Sequence, residues 1–348
     1  MRLIQMRQYW LDGMNKVFLF LLPLLILASC SEYRDYYRGE HTQYTTGDYI
    51  SASGSDPEMY VLPDVKVKDA LVSQFDSAKS RIWVEIYTWT ERDTVDALIR
   101  AHNRGVDTRV VLEGNVYGTP RINNDTFEKL EGAGILVTYA DNDRYNFTHA
   151  KFWIVDDMYC VSTGNLTYSS FQKNRDIIVC DTQREVLSIL ENTYTADQKR
   201  IQPVFSGAIP ANIAMSPINM RSGIEQFIQD AQKTLFVYVQ SVTDDAMLEL
   251  LEQKSTSGVD VRLCVADNDS LGSLSGYTFP ISRVKKPYLH AKAILRDGKY
   301  LMIGSINLTQ NALDHNREVS LFYQNVPKIY NSAEAVFFND CFPQKFAK

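Results

Sequence analysis

Two short stretches of the chain carry the same reactive residues at the same spacing. THAKFWIVDD runs from Thr148 to Asp157 and LHAKAILRDG from Leu289 to Gly298; each holds His, one residue, Lys, four residues and Asp. The second histidine follows the first by 290 − 149 = 141 positions. Alternate side chains of a strand share a face, so His149 points with Lys151 and His290 with Lys292, while Ala150 and Ala291 face the other way. Asn165 and Asn307 stand near the end of the strand that returns from each motif. If a pseudo-twofold axis brings the copies together, two imidazoles, two ammonium groups and two amides converge. That set suits a phosphodiester. Lysines neutralise the non-bridging oxygens, and an amide and a hydroxyl donate further hydrogen bonds. One imidazole can attack phosphorus; the other can protonate the leaving oxygen and then activate water against the phosphohistidine. Cationic side chains then take the electrostatic place of a metal. No carboxylate cluster or His/Cys set with metal-ligand spacing accompanies them, so neither a metal nor another cofactor is expected.

The elements that must position these residues are themselves repeated. Arg81–Asn115 and Thr234–Asn268 each read as a β-branched and aromatic strand, an amphipathic helix, a Gly-Val-Asp turn and a second apolar strand. Val95, Leu98 and Ile99 recur at helical spacing in the first copy, as do Met247, Leu250 and Leu251 in the second; Gly105 and Gly258 stop the helices. HAKFWIVDD continues to MYCVSTGNLT and HAKAILRDG to KYLMIGSINLT, two hairpins turning at Asp156-Asp157 and Asp297-Gly298. Strand–helix–strand units argue for α/β architecture. The expected fold is therefore two lobes related by a pseudo-twofold axis, each a mixed, mainly parallel sheet flanked by helices. Lobe 1 spans about 58–200, a connector without clear periodicity 201–213, and lobe 2 about 214–345.

Two such motifs in one chain resemble the phospholipase D superfamily, over most of the sequence from about residue 58 onward. The resemblance rests on paired HxKxxxxD motifs, each followed by an Asn and an acid at near-matching distances. A GSxN element stands intact as Gly304-Ser305-Ile306-Asn307; in the first copy it is altered to Ser162-Thr163-Gly164-Asn165, with one residue fewer after His149. The resemblance implies catalysis by His149, Lys151, His290 and Lys292. It implies phosphate binding by the lysines, Asn165, Asn307, Thr163 and Ser305. Asp176 and Glu318, the downstream acids, are expected to hold the imidazoles in the right tautomer, with His149 as nucleophile and His290 as general acid, then base. Asp156 and Asp297 have opposite parity from the histidines and are expected to stabilise the turns. Glu85 stands on the first strand of copy one, where copy two has Gln240, and a structural role suits it as well as a place in the site. His41, His102 and His315 are read as incidental.

The chain has 348 residues, 45% hydrophobic and 22% charged, as befits a globular protein with a real core, and a formal net charge of −6. That acidity gives no general attraction to nucleic acid or anionic lipid. At the start, Asn15 and Lys16 precede the apolar run VFLFLLPLLILAS and Cys30. This reads as a secretory signal over residues 1–29, too short for a comfortable membrane span. Leu27-Ala28-Ser29-Cys30 resembles a bacterial lipobox, which implies cleavage before Cys30 and acylation of that cysteine. Ser31 lacks the aspartate of inner-membrane retention, so the outer membrane of a Gram-negative cell is favoured. Removal of the signal takes three basic residues and one acidic one, leaving 33 against 41, a net −8. Residues 30–57 are polar and read as a tether, although their tyrosines can also pack on the domain. Cys160, Cys180, Cys264 and Cys341 show no metal spacing. In an oxidising compartment a Cys160–Cys180 bridge between neighbouring strands and ordinary buried thiols are both open.

The order of expectation for function follows. Phospholipid hydrolysis comes first, because a lipid anchor places the enzyme at a membrane substrate. A metal-independent nuclease comes second, with Lys285 and Lys286 as a local basic patch against an acidic whole. Cardiolipin synthase-like transfer comes below these for want of transmembrane helices after the signal, and an inactive binding module last. Both motifs lie in one chain, so a monomer is expected.

Overall fold

The computed structural model describes residues 49–51, 57–205, 207–268 and 274–343. The signal segment, Cys30 and most of the tether lie outside these residues. The chain enters through a two-residue strand, β1 (Ile50–Ser51). The first lobe then runs β2 (Glu58–Val61), α1 (Val65–Ser77), β3 (Arg81–Ile86), α2 (Arg92–Asn103), β4 (Asp107–Leu112), α3 (Asn124–Gly132), β5 (Leu136–Tyr139), β6 (Lys151–Val155), β7 (Met158–Ser162), α4 (Tyr168–Gln172), β8 (Asn174–Arg175), β9 (Ile177–Asp181) and α5 (Arg184–Lys199). The second runs β10 (Ile213–Ser216), α6 (Met220–Gln229), β11 (Thr234–Val239), α7 (Asp245–Thr256), β12 (Asp260–Ala266), β13 (Ile281–Val284), β14 (Tyr288–Leu289), β15 (Lys292–Arg296), β16 (Tyr300–Gly304), α8 (Gln310–Asp314), β17 (Glu318–Gln324) and α9 (Pro327–Cys341).

The fold is α/β, with two mixed sheets flanked by helices. One sheet is ordered β2-β9-β7-β6-β3-β4-β5; the other β1-β17-β16-β15-β11-β12-β13, with β10 also on β17. The expectation of mainly parallel sheets needs correction. Within the two large sheets, parallel pairing in the repeated part is confined to β3–β4–β5 and β11–β12–β13. The motif strands β6 and β15 enter antiparallel beside β3 and β11 and return by hairpins, which makes the rest antiparallel. A tight turn can only join antiparallel strands, so the hairpins themselves forbid a mainly parallel sheet.

Local sequence accounts for the helices. Asp64 caps α1 by accepting from Lys66 N at 2.9 Å, and Val67, Leu71 and Phe75 give it one buried face. Asp244 caps α7 by accepting from Met247 N at 3.1 Å. The outer face of each sheet packs on its own helices in a separate core, Ile82, Val84 and Ile86 on one side and Leu235, Val237 and Val239 on the other. The inner faces share one core, which joins Phe152 and Val161 to Ala293 and Leu321 and takes in the apolar faces of α5 and α9.

Two boundaries differ from expectation. Within the stretch read as tether, β1 adds a parallel strand to β17, and Tyr49 packs on Phe227, Tyr300 and Phe322. The connector already ends in strand at Ile213, which pairs with Leu321. Two disulfides are present. Cys160–Cys180 joins directly opposed residues of β7 and β9, and Cys264–Cys341 ties β12 to the end of α9. The second was not anticipated, because nothing in the sequence places the last helix against the second strand of its lobe's repeat unit.

Candidate active site

Both motifs sit where the two sheets meet. Each histidine lies just before its strand, and its backbone N–H donates across the lobe boundary: His149 to Arg317 O at 2.9 Å and His290 to Arg175 O at 3.0 Å. β14 pairs in parallel with β8, and Thr148 bridges in parallel to Arg317, so the two crossings match. Each acid therefore reaches the histidine of the other lobe. Glu318 contacts His149 Nδ1 with both oxygens at 2.9 Å, and Asp176 Oδ1 lies 2.8 Å from His290 Nδ1. With Nδ1 engaged, Nε2 of each ring is the nitrogen left for chemistry. Lys292 Nζ donates to Thr163 O at 3.1 Å, again from one lobe to the other.

Electrostatics follow from burial. Lys151, Lys292, Asp176 and Glu318 are all fully buried. Burial is the largest influence on His149 and pushes it down to about 4, helped by Lys151 and Lys292 and opposed by Glu318. Burial and Lys292 lower His290, with Asp176 opposing. Burial also pushes Lys151 well below its usual range and Lys292 down to about 8. It works against ionisation of the two carboxyls, yet the facing imidazoles and lysines hold both below the ordinary carboxylate range. The set is thus short of negative charge. An anion between the lysines would raise both of them and both histidines.

Asn165 Oδ1 and Asn307 Oδ1 are buried and accept no hydrogen bond among the described residues. The two hydroxyls expected to meet phosphate are instead turned onto the chain. Thr163 Oγ1 donates to Asp176 Oδ1 at 2.9 Å and accepts from Ile177 N at 2.9 Å, while Ser305 Oγ accepts from Val319 N at 3.1 Å. Both are fully buried; they brace the acids and the strands that carry them. Asp156 accepts from the backbone of Lys79, Ser80 and Arg81, and Asp297 from that of Gln232, Lys233 and Thr234. Both sit at positive φ in their hairpin turns, a conformation Asp tolerates, and far from the lysine ends.

Register settles two sequence alignments. Ile86 opposes Lys151 and Val239 opposes Lys292. Glu85 therefore corresponds to Tyr238, and it is Tyr87 that corresponds to Gln240; the pairing of Glu85 with Gln240 was two residues out. Glu85 is fully buried beneath the site, beside Asp197 and Arg317, and burial keeps its carboxyl well above the ordinary range. The one-residue shortfall in copy one lies in the hairpin turn, two residues between β6 and β7 against three between β15 and β16. Ser162 thus corresponds to Gly304, and Gly164 to Ile306. At Gly164 a Cβ would overlap the Asp176 carboxyl, so the displaced glycine makes room for the shorter acid.

Sequence reasoning missed the walls. Tyr87 lies edge-on to His149, with ring centres 4.8 Å apart, and continues to Phe147 and Tyr117. The Lys151 ammonium is 5.3 Å from the Tyr87 ring centre. On the other side Gln240 accepts from Asn307 Nδ2 at 3.4 Å and donates to Tyr288 OH at 3.1 Å. Asn316 Nδ2 donates to Glu318 Oε1 at 3.0 Å. The signal available was position: Tyr87 and Gln240 directly follow the strands that flank the motifs. Among the described residues no group of three or more His, Cys, Asp or Glu side chains is arranged to hold a metal, and no helix is long and apolar enough to cross a membrane.

Comparison with known proteins places this two-lobed arrangement. The model of a family described as "Cardiolipin synthase, PLD-like domain" matches residues 71–197 and 224–341, one segment in each lobe. The chain belongs to that family. It is 30% identical over 133 residues to a cardiolipin synthase of Clostridium perfringens, 35% of this chain but only 28% of that protein. A cardiolipin synthase of Oceanobacillus iheyensis is 21% identical over 331 residues, 81% of this chain and 67% of its own length. The chain thus spans under a third of the Clostridium relative. Among solved structures, a phosphatidylserine synthase of Haemophilus influenzae superimposes with a TM-score of 0.64 at 14% identity, covering 81% of this chain and 86% of its own. A polyphosphate kinase of Porphyromonas gingivalis gives the same TM-score at 15% identity, over 81% of this chain and 49% of that one. These two likenesses are of fold.

Proposed function

We propose that the protein is a phosphatidyl transferase working through a phosphohistidine, passing a phosphatidyl group from one phospholipid to an alcohol acceptor. The observation that carries the chemistry is the crossed pair of imidazoles, each held at Nδ1 by the other lobe's carboxylate, with two buried lysines between the lobes. Membership in a family described by cardiolipin synthase favours transfer over the hydrolysis ranked first from sequence. The earlier objection, that no transmembrane helices follow the signal, concerned membrane attachment and not the pocket, where acceptor choice is made.

In the first step His149 Nε2 attacks phosphorus. The N–P bond forms as the bond to the leaving alkoxide breaks, and His290 gives that oxygen its proton. In the second step the acceptor hydroxyl gives its proton to His290, attacks phosphorus and breaks the N–P bond, which restores both imidazoles. Lys151 and Lys292 meet the non-bridging oxygens, with the amides of Asn165 and Asn307. Asp176 and Glu318 hold the tautomers, and Thr163 and Ser305 hold the acids' surroundings. Asp156 and Asp297 keep the turns.

Membrane attachment through acylated Cys30 belongs to the same proposal, with action as a monomer. Loss of palmitate labelling and of membrane association in Cys30→Ser tests it. The reaction is tested with the full chain on phosphatidylglycerol vesicles in EDTA. Cardiolipin and glycerol are expected. Phosphatidic acid with no cardiolipin would mean water is the acceptor, and cleavage of single-stranded DNA with no lipid product would restore the nuclease reading. Turnover that vanishes in EDTA and returns with one divalent ion would overturn the metal-free mechanism.

A further inference from the structure

Each acid of the site is preceded by an arginine, Arg175 before Asp176 and Arg317 before Glu318. Their backbone carbonyls already hold the opposite histidines. Their side chains repeat the crossing one layer deeper. Arg175 Nε lies 2.6 Å from Asp340 Oδ2 and its Nη2 3.2 Å from Oδ1, while Nη1 donates to Leu62 O at 2.6 Å. Arg317 Nε lies 2.7 Å from Asp197 Oδ2 and its Nη2 2.9 Å from Oδ1, while Nη1 donates to Ser216 O at 3.3 Å. Asp197 is thirteen residues past the first residue of α5, and Asp340 thirteen past that of α9 (197 − 184 and 340 − 327). The two clusters are therefore the same pairing used twice, an arginine of one lobe against an aspartate on the last turn of the other lobe's closing helix: two hydrogen bonds at Arg175–Asp340, and at Arg317–Asp197 one hydrogen bond from Nη2 with Nε in ionic contact.

A third group completes each. Tyr238 OH donates to Asp340 Oδ2 at 2.5 Å. Its counterpart Glu85 lies beside Asp197, where the Tyr145 hydroxyl also meets Arg317. Neither fork reaches the space between the lysines. Each is one covalent step from an acid that does.

We propose that Arg175–Asp340 and Arg317–Asp197 are positioning pairs that set the docking of the lobes, the first aiming Asp176 at His290 and the second aiming Glu318 at His149. A planar guanidinium in a two-point fork fixes direction as well as distance. Because the acid follows directly in the chain, a shift of the arginine is passed to one imidazole and not the other. A fork that served only to hold the fold would disturb both histidines alike. The two pairs thus separate the two halves of the reaction.

The test compares Asp340→Asn and Asp197→Asn in the full chain, using phosphatidylglycerol, whose leaving alcohol needs a proton, and bis(p-nitrophenyl) phosphate, whose leaving group needs little. Misplacement of a reacting group by about 1 Å lowers rate by roughly 10²-fold. Asp340→Asn should lower kcat on the lipid by about tenfold or more while phosphohistidine formation from the p-nitrophenyl ester changes under about threefold, since only His290's work as acid is impaired. Asp197→Asn should slow adduct formation equally with both substrates, with KM little changed. Which pair affects which step rests on His149 being the nucleophile. If the roles are reversed, the two signatures exchange, which sinks that assignment and upholds the positioning pairs. Equal losses on both substrates in both variants overturn the proposal. Should either variant fail to fold, Tyr238→Phe and Arg317→Lys make the same comparison with the charges kept.

Discussion

The two half-sites share a backbone and differ in their walls. Around His149 the neighbours are rings, Tyr87, Phe147 and Tyr117 in succession. Around His290 the equivalent positions hold amide and hydroxyl, Gln240 and Tyr288, tied to Asn307. The acids differ too: the shorter Asp176 lies against Gly164, whereas the longer Glu318 stands in the copy that has Ile306. What stays constant is the crossing, since each acid serves the other lobe. Symmetry therefore fixes where the imidazoles point, and departures from symmetry divide the work between them. A ring edge-on to His149 gives an apolar flank to a neutral nucleophile. The Gln240 amide and Tyr288 hydroxyl, tied to Asn307, give the His290 half-site polar groups that suit a residue that must take and give protons.

The comparison breaks most decisively at the histidines. His149→Ala should abolish turnover and leave no phosphoenzyme with any substrate. His290→Ala should lose lipid turnover but still accumulate phosphohistidine from bis(p-nitrophenyl) phosphate, because the base that takes the acceptor's proton is gone. Acid quench and mass spectrometry read both. An adduct on His290 in His149→Ala, with none on His149 in the converse variant, reverses the division of labour. Next come the acids. Glu318→Gln should slow adduct formation and Asp176→Asn should slow turnover of the lipid, each by about 10²–10⁴-fold. The double variant should lose far less than the product of the two if both act on one rate-limiting geometry.

These effects were only partly legible in the sequence. The motif residues and their faces follow from alternation along a strand, so His149 with Lys151 and His290 with Lys292 could be placed without coordinates. The crossing could not. It depends on β8 meeting β14 across the lobe boundary, a contact of 288 − 174 = 114 positions that no local period encodes. For the same reason the acids' targets, the forks of Arg175 and Arg317 and the Cys264–Cys341 bridge stayed hidden. The misalignment of Glu85 with Gln240 has a smaller cause. Both are polar, Glu85 within its apolar strand and Gln240 just past the end of its own, and matching by type outweighed the hydrogen-bonded register that pairs Ile86 with Lys151 and Val239 with Lys292. The mainly parallel sheet failed because strand–helix–strand units dominate the length of each repeat, while hairpins dominate its pairings.

The disulfides sharpen the comparison at the level of stability. Cys160–Cys180 closes 20 residues within lobe 1, and Cys264–Cys341 closes 77 within lobe 2. Chain entropy alone gives about 3 and about 4 kcal/mol for the two bridges. Cys264→Ser with Cys341→Ser should therefore lower the denaturant midpoint more than Cys160→Ser with Cys180→Ser. The first also frees the end of α9 one residue from Asp340, so it should reduce lipid turnover beyond its effect on folding. Equal midpoints for the two double variants would show that strand pairing across β7 and β9, and not loop closure, dominates.

The smallest expected effect is a slope. His149 is held down to about 4 by burial and by Lys151 and Lys292, and His290 is lowered by burial and Lys292. In the unfolded chain both titrate near 6.5. Between those limits the unfolded state binds protons that the folded state refuses, so stability rises with pH and is lost as pH falls from about 6.5 toward 4. Asp176 and Glu318 are shifted down as well. Their contribution is lost only as pH falls below ordinary carboxylate values, while Glu85, whose carboxyl burial holds well above them, opposes the histidines in the interval from about 6.5 to 5. One histidine contributes at most about 1.4 kcal/mol per pH unit there. Urea unfolding of the full chain and of His149→Gln at several pH values across that interval isolates the His149 share. The midpoint should climb less steeply with pH in His149→Gln than in the parent chain. A slope that steepened in His149→Gln would mean that Glu318 outweighs the lysines and burial, leaving His149 protonated near neutral pH and unfit to open the reaction as nucleophile.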